Sequence, residues 1–150
     1  ANFAIAGDTT QGLLWGLQNG EGQGKPKAIM LMIGTNNNTS GNTAEEIAEG
    51  VGAVVLQLRK DFPDAKIMLL AIFPRGNGPT DSARMKNDEA NKIIAKLDDG
   101  KHVFFKNIND KFLNDQGQLI GFSQDMVHPA AQGYDIWGAA VADTLKSWLK

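Results

Sequence analysis

The sequence contains no cysteine, which excludes disulfides, thiolate-ligated zinc and a cysteine nucleophile while leaving the compartment open. Histidine is scarce: His102 and His128 stand far apart, and with no thiolate to join them they form no zinc-ligand cluster. No cofactor is indicated. No apolar run approaches ~20 residues, so no helical membrane span is expected. An excess of charge is missing too. The net charge is −2 and the pI about 5.6, with no basic stripe along any expected helix, which argues against a nucleic-acid partner. There is no internal repeat, linker or low-complexity segment. The chain also opens without Met or a signal-peptide pattern, on Ala1-Asn2-Phe3-Ala4-Ile5, inside what reads as a strand. Further residues are therefore expected upstream, and any targeting signal would lie there.

What remains is ordinary for a globular protein. With 42% hydrophobic and 21% charged residues, 150 residues suffice for one domain with a sizeable core. Short apolar runs alternate with helical periodicities. Asn2 to Ala6 reads as a strand, ending at Gly7-Asp8-Thr9-Thr10, where Asp8 or Thr9 could cap a helix carrying Leu13, Leu14 and Leu17 with Trp15 on its flank. Lys27 to Ile33 is apolar after its lysine, as a parallel strand buried on both faces should be, and Gly34-Thr35-Asn36-Asn37-Asn38 follows as a polar loop.

Thr43-Ala44-Glu45-Glu46 forms a capping box ahead of Ile47, Val51, Val54, Val55 and Leu58. Phe62-Pro63 closes that helix, and Lys66 to Ile72 is another strand. Thr80 or Asp81 starts a third helix, with Ala83, Ala90, Ile93, Ile94 and Leu97 apolar and Gly100 as its C′ residue. His102 to Phe105 is a fourth strand, and His102 at its entrance reads as structural. From Gln132 to Lys150 a last helix places Tyr134, Trp137, Val141, Leu145 and Trp148 on its core stripe. Trp15, Trp137 and Trp148 read as packing residues, not as a sugar-stacking platform. Alternating strands and helices imply a parallel sheet between helices, whose ligand site gathers beyond the carboxyl ends of the strands.

Asp125-Met126-Val127-His128-Pro129 is the stretch with the most chemistry in it. The carboxylate can accept the Nδ1 proton of the imidazole three residues on, which fixes the tautomer and leaves Nε2 to take a proton from a nucleophile.

Four stretches together resemble the SGNH (GDSL-type) hydrolase family, in the group of the platelet-activating-factor acetylhydrolase catalytic subunits and their bacterial esterase relatives. Asn2 to Thr10 with Leu14 to Glu21 resembles the second conserved block, and Ile33-Gly34-Thr35-Asn36-Asn37 the third. Asp125 to Pro129 with Gly133-Tyr134 resembles the fifth, and Phe73-Pro74-Arg75-Gly76 a loop common in the group. The resemblance implies a flavodoxin-like three-layer α/β/α fold and a serine-type esterase acting on small carboxylic esters.

By that resemblance His128 and Asp125 match the base and acid of a triad, while Gly7 (backbone N–H) and Asn36 (side-chain amide) match oxyanion donors. Arg75 is weighed as a substrate contact. The family's first block, Gly-Asp-Ser after the first strand, has no match: Ser40, Ser82, Ser123 and Ser147 all lack that context. Thr9 in Gly7-Asp8-Thr9 is the alternative nucleophile, although the residues after it continue the second block. On the first reading the nucleophile lies outside these residues, and residues 1–150 alone should be nearly inactive.

The family's sheet would also lack its first strand, between the strands at Asn2 and Lys27. Unpaired buried backbone groups cost ~1–3 kcal/mol each. So either a further segment or a second copy fills the slot, or the two strands pair directly. Two other readings stay open. One is an inactive pseudoesterase binding acetylated carbohydrate. The other is a flavodoxin-like nucleotide binder using Gly7-Asp8-Thr9-Thr10 as a phosphate loop, which lacks the glycine-rich fingerprint and lysine.

Overall fold

A computed structural model describes residues 9–13 and 26–148, together with the backbone of residues 2–6. Four strands form one parallel sheet in chain order: β1 (Asn2–Ala6), β2 (Ala28–Met32), β3 (Lys66–Leu70) and β4 (Val103–Lys106). Across it Ala4, Met30, Met68 and Phe104 lie in one row. β1 and β2 pair directly, the second of the two arrangements expected, so their facing backbone groups satisfy one another.

Four helices with described bounds accompany the sheet, α1 (Thr35–Thr39), α2 (Ala44–Asp61), α3 (Ser82–Ile94) and α4 (Ala131–Trp148), and residues 10–13 are helical as well. Strand periodicity separates the two cores. Ile29, Leu31, Ile33, Ile67 and Leu69 pack with Ile47, Val51, Val54, Leu58, Ala90 and Ile94 of α2 and α3. Met32, Met68 and Leu70 pack on the other face with Trp137 and Val141 of α4, with Phe73 from the loop after β3 and with Phe112 of a 3-10 turn (Asn109–Phe112). Each fully buried aliphatic side chain contributes ~1.5–3 kcal/mol. The result is three layers, helices on both faces of a parallel sheet. Among the described residues no helix is long and apolar enough to cross a membrane.

The capping box forms as its sequence requires: Glu46 N donates to Thr43 Oγ1 (3.1 Å) and Thr43 N to Glu46 Oε1 (2.9 Å). Asp81 caps α3, accepting from Ala83 N and Arg84 N.

Several expectations need correction. The polar loop after β2 is a short helix, α1, because Gly34 turns the chain at φ 127 and the next residues close helical bonds. Glycine suits this position: φ 127 is disfavoured for a side chain, and a Cβ there would crowd Ile72 Cδ1 at 2.8 Å and Ile47 Cγ2 at 3.1 Å. α3 ends at Ile94 and tightens into a 3-10 turn over Ala95–Leu97, so Gly100 (φ 67) serves a later turn and is not a C′ residue. Ile93 is exposed. Tyr134 also leaves the expected core stripe and is 57% exposed. Of the first expected helix, Leu13 is buried, while Leu14, Trp15 and Leu17 lie outside the described residues.

Candidate active site

The turn before α4 builds the dyad. Asp125 Oδ1 accepts from Val127 N (2.9 Å) and His128 N (3.1 Å), an arrangement that folds the chain back on its own carboxylate. That leaves Oδ2 facing His128 Nδ1 at 2.6 Å. The ring bond comes first, and the two backbone N–H groups next, in holding the Asp125 carboxyl down to about 2. Asp125 is therefore ionised at neutral pH. With the Nδ1 proton directed at it, Nε2 is the basic nitrogen of the neutral ring. Both side chains are exposed. A polar contact so open to water adds little to stability.

The turn is clipped at both ends. Ser123 N donates to the His128 carbonyl (2.8 Å), Ala130 N to that of Gly121 (2.7 Å), and Gly76 N to that of Met126 (3.0 Å). Met126 sits at φ 59, costly for a residue with a Cβ. Gly121 and Gly133 let loop and helix touch: a Cβ on Gly133 would lie 2.4 Å from the Gly121 carbonyl oxygen.

His128 and Asn36 line the same cavity, of about 130 Å³, with Gly34, Thr35, Val127 and Tyr134. The strand end after β2 and the turn before α4 therefore meet, as the topology leads one to expect. The hydroxyls among these lining residues are those of Thr35 and Tyr134; no serine is among them. Gly7 lies outside the described residues. Thr9 Oγ1 accepts from Gly12 N (3.1 Å), the bond of a helix cap. Among the described residues there is no group of three or more side chains suited to a metal.

A model of the GDSL-like lipase/acylhydrolase family matches residues 1–136. The chain belongs to that family. It is 38% identical over 136 residues to the rat (Rattus norvegicus) platelet-activating factor acetylhydrolase IB subunit alpha2, covering 89% of this chain and 58% of that protein. The chain thus spans little more than half the length of the curated relatives it matches. A GDSL-like lipase from Bacteroides thetaiotaomicron superposes with a TM-score of 0.77 at 17% identity, covering 93% of this chain and 72% of the other. A catalytic mutant of an acetylxylan esterase from Geobacillus stearothermophilus gives 0.73 at 18% identity, covering 91% and 67%. These likenesses fix the fold as that of the GDSL-type α/β hydrolases.

In this GDSL-family chain, side chains that sequence reasoning passed over support the cavity wall. Asn37 is buried, accepting from Thr10 N (2.8 Å) and donating to Thr10 Oγ1 (3.0 Å), which ties the segment after β1 to α1. Asn38 donates to the Ala83 carbonyl and to Asn87 Oδ1. Arg75, weighed as a substrate contact, turns its Nη1 to the Thr35 carbonyl (3.0 Å) and Thr39 Oγ1 (2.9 Å) and so braces α1.

Asn91 grips both the N–H and the carbonyl of Ile72 (2.7 and 3.0 Å), closing the backbone just beyond β3. Arg84, 3% exposed, donates to the carbonyls of Arg75, Gly76 and Gly117. Burial pulls its guanidinium pKa down, against the opposing charges of Asp88 and Asp81. One signal was present in the sequence: residues 84, 87 and 91 recur at helical spacing, a polar seam on a buried face. Tyr134, at a cavity wall and stacked on Trp137 with ring centroids 5.9 Å apart, was hidden within an apolar stripe.

Proposed function

We propose that this site belongs to a serine-type esterase that hydrolyses acetyl or other short-chain acyl esters. The observation carrying this reading is the 2.6 Å Asp125–His128 bond beside a cavity that Asn36 also lines. In the mechanism, His128 Nε2 takes the proton of a serine hydroxyl supplied from outside residues 1–150, as Asp125 holds the ring and balances its charge. The hydroxyl oxygen attacks the ester carbonyl. The oxyanion is held by the Asn36 side-chain amide and the Gly7 N–H. His128 then protonates the departing alcohol. In the second half it activates water, which releases the carboxylic acid.

Relatives described as an acetylhydrolase and an acetylxylan esterase point to this class of ester.

The experiment is p-nitrophenyl acetate turnover by the full-length protein, with labelling by a fluorophosphonate. A serine adduct that disappears in His128→Ala, and a ~10²–10³-fold drop in kcat for Asn36→Ala, are the expected results. Ester turnover by residues 1–150 alone, abolished by Thr9→Ala, would place the nucleophile at Thr9. Ligand binding without turnover would identify a pseudoesterase.

A further inference from the structure

We propose that Arg84 is a positioning residue that sets the separation between Asn36 and the Asp125–His128 turn. The inference rests on the esterase reading of the site. Arg84 touches neither group, but its bonds lead to both. Its Nε donates to the Arg75 carbonyl at 2.7 Å, and the Arg75 side chain grips Thr35 and Thr39, the two ends of the helix that carries Asn36. Its Nη2 donates to the Gly76 carbonyl at 2.8 Å, and the N–H of the same Gly76 holds the Met126 carbonyl at 3.0 Å. Met126 is the left-handed residue between Asp125 and His128. Its Nη1 anchors the pair to the turn at Gly117.

A buried guanidinium is costly unless its donors are satisfied, and apolar replacements often serve stability as well. Here the donors converge on three carbonyls from two loops. That geometry is what a planar fork supplies and a lysine does not. The strained backbone at Met126 needs such bracing, since a left-handed non-glycine residue persists only where its surroundings over-determine it. Asn87, one turn further along α3, adds a bond to Thr35 Oγ1 (3.4 Å), so both braces of α1 start from the same helix face.

The test uses the full-length protein with p-nitrophenyl acetate and compares Arg84→Ala, Arg84→Lys and Arg75→Ala with the parent. A misplacement near 1 Å can cost ~10²-fold in rate. Arg84→Ala should lose about tenfold to a hundredfold in kcat at unchanged KM, Arg84→Lys less, and added guanidinium ion should restore part of the Ala variant's loss. A purely structural role would lower the melting temperature and the folded fraction but not kcat per folded molecule.

If Arg84→Ala does not fold, Arg75→Ala decides. It breaks one arm at a half-buried side chain, and kcat should fall at unchanged KM. Folded Arg84 variants with parental kcat overturn the inference, and so does Arg75→Ala with parental kcat. His128→Ala separates the two claims. If it keeps turnover, the esterase reading falls and this inference with it. If it is dead while the arginine variants match the parent, this inference alone fails.

Discussion

Asp99-Gly100-Lys101-His102 and Asp125-Met126-Val127-His128 have the same spacing and fold into the same kind of turn. In each, the residue after the aspartate is left-handed, Gly100 at φ 67 and Met126 at φ 59. In each, one carboxylate oxygen collects backbone N–H groups. Asp99 Oδ1 accepts from Lys101, His102 and Val103 at 2.9, 2.7 and 2.8 Å. Asp125 Oδ1 accepts from Val127 and His128, and its other oxygen meets the His128 ring. Both carboxyls are held down to about 2, Asp99 chiefly by the Val103 N–H and Asp125 chiefly by the imidazole.

The first turn starts β4, at the amino end of the sheet. The second faces the cavity beyond the strands' carboxyl ends. Spacing makes the turn; place in the topology decides whether its histidine faces the cavity.

Four experiments would break or sharpen that comparison. The largest effect is expected from His128→Ala, with kcat of the full-length protein for p-nitrophenyl acetate falling on the order of 10⁴–10⁶-fold in steady-state assays. His102→Ala should leave kcat unchanged. Equal losses would erase the distinction between the turns. Next come the aspartates. Asp125→Asn should lower kcat ~10⁴-fold by upsetting the tautomer, with the melting temperature changing less. Asp99→Asn should do the reverse, lowering the melting temperature and sparing kcat.

A smaller effect tests the left-handed position itself. Gly100→Met should cost ~1–2 kcal/mol in denaturant unfolding. The cost is conformational, because a Cβ there meets no atom within 4 Å. Met126→Gly should change stability by less than ~1 kcal/mol, the relief of strain being offset by the entropy of glycine.

Acid gives the smallest effect. Both aspartates have folded pKa values of about 2, below their ordinary 3.8, so the unfolded chain takes up protons first as pH falls. Their contribution is complete above pH ~4 and lost as pH falls through about 2. Melting temperatures followed across that range should fall less steeply in Asp99→Asn than in the parent.

The sequence was a good guide wherever one residue type has one use. Continuous apolar runs gave the buried strands, Thr43 and Glu46 the capping box, and Asp125 with His128 the dyad. It said less where several residues shared a type. Asn36 stood out from its neighbours only by the family resemblance, and the fold alone shows that Asn37 goes to Thr10 and Asn38 to α3 while Asn36 lines the cavity. Arg84 drew no reading of its own: helical spacing with Asn87 and Asn91 hints at a polar seam, but nothing local announces the three loop carbonyls it meets. Tyr134 fitted an apolar stripe that its position at the start of α4 opens to solvent. Gly7 was legible only by resemblance and lies outside the described residues.

The contact between Gly121 and Gly133 has one more effect. Because the loop carbonyl rests against the first turn of α4, no residue larger than glycine fits at position 133 without parting loop from helix. A Gly133→Ala change would thus act on the imidazole from a distance, by shifting the segment that carries His128 and its carboxylate partner.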